Sequence, residues 1–216
     1  MSEPLLAAVG VRKWFMSGHE RITPVDGVDL ALSAGEIVLI TGPSGSGKTT
    51  LLQLLVGFQR PDEGSVSWPG GGPTPGWGSV AVVPQSLGLV AELTVAENVA
   101  LPLLARAEGA VRDAAARVAM ALVAVHADAL ADRLVGDTSL GQQQRVAVAR
   151  ALVGNPQVIV ADELTSHQDA DHARVVLRAL QVAAQRGAAC LIAGHDPLLA
   201  TVATRVLHLQ SGRLAP

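Results

Sequence analysis

Gly42-Pro43-Ser44-Gly45-Ser46-Gly47-Lys48-Thr49-Thr50 gathers three glycines, one lysine and four hydroxyl side chains into nine consecutive residues. Glycines at such spacing let successive backbone N–H groups turn toward phosphate oxygens, and a helix opening at Lys48 adds a favourable dipole at its N-terminus. The segment follows the apolar run Val38-Leu39-Ile40, so the G-x-x-x-x-G-K-[ST] pattern stands in the strand-to-helix context that phosphate binding requires. Lys48 is expected to pair with the β and γ phosphates of ATP. Thr49 is expected to offer its hydroxyl to a Mg²⁺ ion bridging the same two groups.

A second apolar run, Val158-Ile159-Val160-Ala161, ends in Asp162-Glu163. Side chains at the C-terminal end of a parallel strand emerge toward a phosphate loop on a neighbouring strand. Asp162 is therefore expected in the Mg²⁺ shell, and Glu163 is placed to orient or deprotonate an attacking water. These two elements alone specify a P-loop NTPase or kinase.

The elements that must position them are short apolar runs bounded by turn residues: 36–40, 80–83, 157–161, 189–193 and 204–209. Most read as strands buried on both faces. Helical stretches at 48–55, 142–153 and 171–186 alternate with them, which gives an α/β class with a mostly parallel sheet flanked by helices. Residues 5–32, broken by Gly18, Pro24 and Gly27, suit a small antiparallel β layer. Residues 61–79 are too rich in Gly and Pro for regular structure and read as a surface loop. Past Gln85 the pattern turns helical, at 95–101 and in an Ala-rich helix over about 111–130, which marks residues 86–135 as an inserted α-helical subdomain. The nucleotide-binding core is then 1–85 and 136–216, all within one domain.

A chain of 216 residues can bury a sizeable core. The formal net charge of −3 leaves no basic excess to neutralise a phosphate backbone, so nucleic acid is excluded as principal partner. The one cysteine, Cys190, lies in the apolar run Ala189-Cys190-Leu191-Ile192-Ala193 and reads as a core thiol. No apolar run reaches the ~18 residues of a membrane span, and Met1-Ser2-Glu3-Pro4 is no secretory leader, so a cytoplasmic chain is expected. The mean hydropathy of +0.36 is high, which leaves apolar surface for a partner.

Behind the phosphate loop come, in order, Val82-Val83-Pro84-Gln85, Ser139-Leu140-Gly141-Gln142-Gln143-Gln144-Arg145, Asp162-Glu163 and Gly194-His195-Asp196. Together these resemble the ATP-binding cassette (ABC) transporter ATPases over nearly the whole chain, which implies the RecA-like P-loop NTPase fold. The resemblance makes Gln85 the glutamine that touches the metal and couples the core to the helical subdomain, and His195 the histidine that contacts the γ-phosphate and steadies Glu163. It makes Ser139, Gly141 and Gln142 a signature that acts on the nucleotide of a second cassette, and Asp169 the acid of the loop after Glu163. It calls for an aromatic platform for adenine upstream of the phosphate loop, for which spacing favours Phe15 over Trp14. A separate integral membrane permease is implied, with the cassettes paired as homodimer or heterodimer on the inner face of the cell membrane. The stretch Glu97-Asn98-Val99-Ala100-Leu101-Pro102-Leu103 resembles the lipoprotein-releasing, macrolide-efflux and cell-division branch, whose permeases are FtsX-like.

Two departures stand out. The family's Leu-Ser-Gly-Gly-Gln is Thr138-Ser139-Leu140-Gly141-Gln142 here, so a bulky side chain stands where backbone could need φ > 0 near phosphate. Pro-Thr-Ser-Ala-Leu-Asp becomes Leu164-Thr165-Ser166-His167-Gln168-Asp169. Both touch contacts between subunits and predict slower closure of the dimer, or an ATP-binding cassette of regulatory turnover.

Overall fold

A computed structural model describes residues 3–72, 74–76, 78–104, 113–165 and 169–215. Two strands open the chain, β1 (Leu6–Ser17) and β2 (Glu20–Leu32). The run Ile37–Thr41 forms β3 and leads through the glycine-rich loop into α1 (Lys48–Leu55). After it come β4 (Glu63–Ser67), β5 (Val80–Val83), α2 (Val95–Leu104) and α3 (Ala114–Ala124). Alternation then resumes with α4 (Leu140–Leu152), β6 (Val158–Asp162), α5 (Ala170–Gln185), β7 (Ala189–Ala193), the short α6 (Pro197–Ala200), β8 (Arg205–Gln210) and β9 (Arg213–Ala215).

The strands form an antiparallel sheet in the order β2-β1-β4 and a second sheet in the order β5-β6-β7-β3-β8-β9. Neighbours in the second sheet run parallel except for the β8-β9 pair. Side chains on a strand alternate between faces, and the central strands bury both. Ile37, Leu39, Ile159, Ala161, Cys190 and Ile192 point to a layer shared with α2 to α5. Val38, Ile40, Val158, Val160, Leu191 and Ala193 point to a second layer closed by α1 and the antiparallel sheet. Burial pushes the Cys190 thiol up to about 12, so it stays protonated and inert, as a core thiol should. Among the described residues no helix is long and apolar enough to cross a membrane.

The expected strands are found within a residue of their ends, and four features differ from the sequence reading. Part of the expected 61–79 loop is the strand β4, paired with β1 from Ala7↔Ser67 to Arg12↔Glu63. Its only apolar residue is Val66, so no periodicity announced it. Gly64, at φ +79, meets the register shift between Val9 and Arg12, where a Cβ would strike the Gly10 carbonyl.

The Ala-rich helix is shorter than expected. Its positions 111 and 112 lie outside the described residues, and α3 ends at Ala124 rather than Leu130. His126 takes the left-handed conformation at φ 52. There its N–H donates to the Val123 carbonyl while the Ala127 N–H donates to that of Leu122, the paired bonds of a Schellman stop usually made by glycine. A 3₁₀ turn follows at Asp128–Leu130.

Helix α2 runs through Pro102 to Leu104 instead of stopping at Leu101. Helix α4 starts two residues early, at Leu140, because the Gln142 N–H donates to Ser139 Oγ (3.3 Å) and the Ser139 N–H donates to Gln142 Oε1 (2.9 Å), a complete capping box.

Candidate nucleotide-binding and hydrolytic site

The phosphate loop is held against two strands by glycines that no other residue can replace. Gly47 caps α1 at φ 104, where a Cβ would overlap the Pro24 carbonyl of β2. Gly42, at φ 149, backs onto the Leu209 carbonyl of β8 in the same way. The Lys48 ammonium lies along the loop and donates to the carbonyls of Gly42 (2.8 Å) and Pro43 (3.1 Å). Ser46 Oγ is buried beneath the loop without a hydrogen-bond partner. A glycine-rich loop seated this closely on β2 and β8 at the start of a helix, an ammonium and an orphan hydroxyl together fit a polyphosphate.

The metal side of the site is equally legible. The Thr49 hydroxyl donates to Asp162 Oδ2 at 2.8 Å, which joins the start of α1 to the end of β6. Asp162 is buried, and desolvation pushes its carboxyl above the usual range, opposed by the Thr49 hydrogen bond, reinforced by the Glu163 charge and opposed again by Lys48. A hydroxyl beside a buried carboxylate is an all-oxygen pair suited to Mg²⁺. Gln85, two residues past the end of β5, lines one cavity of about 590 Å³ with Thr49 and Asp162, so these three expected metal-side residues share one space.

Because its native pKa is raised, Asp162 holds its proton to higher pH in the folded chain than in the unfolded one. Its contribution to stability is greatest at acid pH and is lost as pH rises through the raised value. Asp162→Asn is therefore expected to raise the melting midpoint of the nucleotide-free chain by about 2 °C or more at pH 7, with a smaller gain at pH 4. The same variant should lose the extra stabilisation that Mg²⁺ adds to ATP. Thermal melts at both pH values, with and without Mg·ATP, read both effects, and an unchanged or lower midpoint at pH 7 would refute the first.

Glu163 sits at φ 57, a conformation rare outside glycine. Its N–H donates to the Ala193 carbonyl (2.9 Å), its own carbonyl accepts from Gln144 Nε2 (2.8 Å), and its carboxylate lies 3.2 Å from His195 Nδ1. His195 follows β7, with its side chain largely exposed and the next residue, Asp196, capping α6. Backbone strain held from several sides is how active sites fix a side chain's aim. Gln144, buried in α4, stands in the Ser139–Arg145 motif but was given no role of its own by sequence reasoning, and the structure places it on the Glu163 backbone. Its one signal was a glutamine where the helix turns to its buried face.

Phe15 is exposed on β1, opposite Ile22 and two residues along β2 from Pro24, the residue that backs Gly47. The Lys13 ammonium stands 5.6 Å from its ring centroid, while Trp14 packs under the Arg21 guanidinium at 3.7 Å. Ser139 and Gln142 are engaged in the capping box, and Gly141 begins the helix with Leu140. Leu140 has ordinary negative φ as the first helical residue, so the expected demand for positive φ does not arise; its side chain is 46% exposed on that face. Asp169 caps α5, accepting from the His172 N–H (2.9 Å) and lying 2.7 Å from His172 Nδ1, which holds its carboxyl below the usual range. Ser166, His167 and Gln168 lie outside the described residues.

A parallel sheet with a phosphate loop after β3, a buried aspartate and a strained glutamate after β6, and a histidine after β7 define a P-loop nucleotide-binding domain. The ABC transporter family model matches residues 25–166, and the chain belongs to that family. It is 38% identical to the lipoprotein-releasing system ATP-binding protein LolD of Chromohalobacter salexigens, over 99% of this chain and 94% of that protein. It is 40% identical to an ABC transporter ATP-binding protein of Mycobacterium tuberculosis over 94% of this chain, and spans 64% of that relative's length. The dimeric structure of the ATP-binding cassette MJ0796 in a post-hydrolysis state with ADP and Pi superposes with a TM-score of 0.89 at 29% identity, covering 98% of this chain and 97% of that one.

Proposed function

We propose that this cassette binds and hydrolyses ATP as a closing dimer and thereby drives a separate membrane permease from the inner face of the membrane. The observation that carries the reading is the convergence of the Thr49–Asp162 and Glu163–His195 pairs beside the phosphate loop. The residues from Gly42 to Thr50 hold the phosphates, and Lys48 neutralises the charge that develops on the transferring group. Thr49, Asp162 and Gln85 would hold Mg²⁺, which when bound would supply countercharge to the phosphates. Glu163 orients the attacking water and accepts its proton. His195 keeps Glu163 in position, and Phe15 stacks on adenine. Ser139, Gly141 and Gln142 present the N-terminus of α4 to the nucleotide of the second copy, while Asp169 lines the seam.

The helical arm 86–135 acts as the lever between core and permease. Asn98, fully buried in α2, accepts from the Val90 N–H and donates to the carbonyls of Val90, Leu93 and Thr94, so the segment after Gln85 moves with the arm. The FtsX-like class of permease is favoured by the Glu97-to-Leu103 segment and by the relatedness to LolD.

Leu140 supports a second reading, in which turnover is slow because an apolar side chain stands on the closing face. Specific ATPase activity is expected to rise with protein concentration, since one subunit completes the site of the other. Leu140→Gly should move that rise to roughly tenfold lower concentration. Activity strictly proportional to protein refutes the dimer mechanism, and identical curves for the two proteins refute a role for Leu140.

A further inference from the structure

At the opposite edge of the sheet from the phosphate loop, where β6 and β7 begin, a groove of about 1050 Å³ runs between α3 and α5, with the turn 152–157 as its floor. Its two walls differ in chemistry. On α5, Arg174, Arg178 and Val182 follow one another at four-residue spacing, continued by Arg186 at the C-cap, the ridge of a single helix face. On α3, Met120 and Val123 stand 66% and 57% exposed, an apolar wall. Arg117 joins the rim with its guanidinium pinned on the Val153 carbonyl at 2.7 Å.

Four of the chain's fourteen arginines therefore line one groove, although the chain as a whole carries a net charge of −3. Neither 114–126, nor 152–157, nor 174–186 contains a single carboxylate. Arg174 pairs with Asp171 at the N-terminal end of α5, and among the described residues Arg117, Arg178 and Arg186 make no ion pair. An ordinary solvated helix face interleaves both signs of charge, whereas this one repeats a single sign beside exposed methionine and valine. Met is the side chain best able to mould itself to an incoming apolar surface.

We propose that the groove receives an acidic amphipathic helix of a partner protein. Carboxylates at four-residue spacing along one flank of that helix meet Arg174, Arg178 and Arg186, and apolar side chains at i, i+3 and i+4 settle against Met120 and Val123. A helix of ~10 Å diameter fills a concave channel, while a flat bilayer cannot follow one. The groove lies away from Lys48, Asp162 and Glu163, so occupancy leaves the nucleotide ligands in place.

The test uses the full chain and a fluorescently labelled synthetic helix of about 18 residues, long enough to be helical, with Glu at every fourth position on one flank and Leu beside it. Fluorescence anisotropy is expected to show saturable binding that weakens at least tenfold in Arg174→Glu/Arg178→Glu and in Met120→Glu, and that falls as salt is raised. Melting and ATP binding of each variant report on folding, and Arg174→Gln/Arg178→Gln serves as the milder version. No binding, equal binding of a scrambled peptide of the same composition, or binding untouched by these substitutions would overturn the proposal. So would vesicles containing phosphatidylglycerol that bind through the same arginines when the peptide does not.

Discussion

Glu163→Gln is expected to lower ATP turnover by about 10²- to 10⁴-fold, the usual contribution of a positioned general base, with ATP affinity retained. The substitution conserves shape, so the left-handed backbone at φ 57, the Gln144 bond to its carbonyl and the contact with His195 all persist. What goes is the capacity to take a proton from water. Binding without cleavage should trap the closed form, and light scattering with Mg·ATP should report a doubled mass. Turnover above a tenth of the parent rate would remove Glu163 from the role of base. A mass that stays monomeric despite bound ATP would place the second half of the site in another cassette.

Gly47→Ala should be the most damaging single-methyl change in the molecule. At φ 104 any side chain is strained, and here the added Cβ also runs into the Pro24 carbonyl, a backbone atom that cannot swing aside. Strain at such a conformation amounts to about 1–3 kcal/mol before the clash is counted, so a fall of roughly 6 °C or more in melting midpoint is expected. Shifting the loop also misaims its N–H groups, so ATP affinity should drop by at least about tenfold. Gly18→Ala is the control, with φ +62 and open space around its Cβ. A Gly47→Ala protein no less stable than Gly18→Ala would show that β2 does not brace the loop.

The phosphate loop, the Asp162–Glu163 corner and the central strands were readable because each depends on local order: glycines where backbone approaches backbone, apolar runs where both faces are buried. Structure that depends on tertiary partners was not. β4 forms because β1 offers an open edge, with little in Glu63–Ser67 to demand it. The stop of α3 uses a left-handed histidine where glycine is the usual signal. The start of α4 was present in the sequence as Ser139-x-x-Gln142, whose mutual bonds make a cap. Gln144 could not be read because its partner is a main-chain carbonyl nineteen positions away. The arginine-walled groove likewise exists only once α3 and α5 are laid side by side.

Helix α4 touches two different things with its first turns. Ser139 presents its N-terminus outward, and Gln144, about 7.5 Å further along the axis, grips the carbonyl of Glu163. A rigid rod cannot move at one end alone. In a paired cassette, a nucleotide seated against Ser139 would therefore set the aim of the glutamate in the subunit that owns the helix, which serves the other nucleotide. In such a pair the two turnovers would be mechanically linked through the first five residues of the helix, Leu140 to Gln144, and rates measured against ATP should bend sigmoidally, with a Hill coefficient above one.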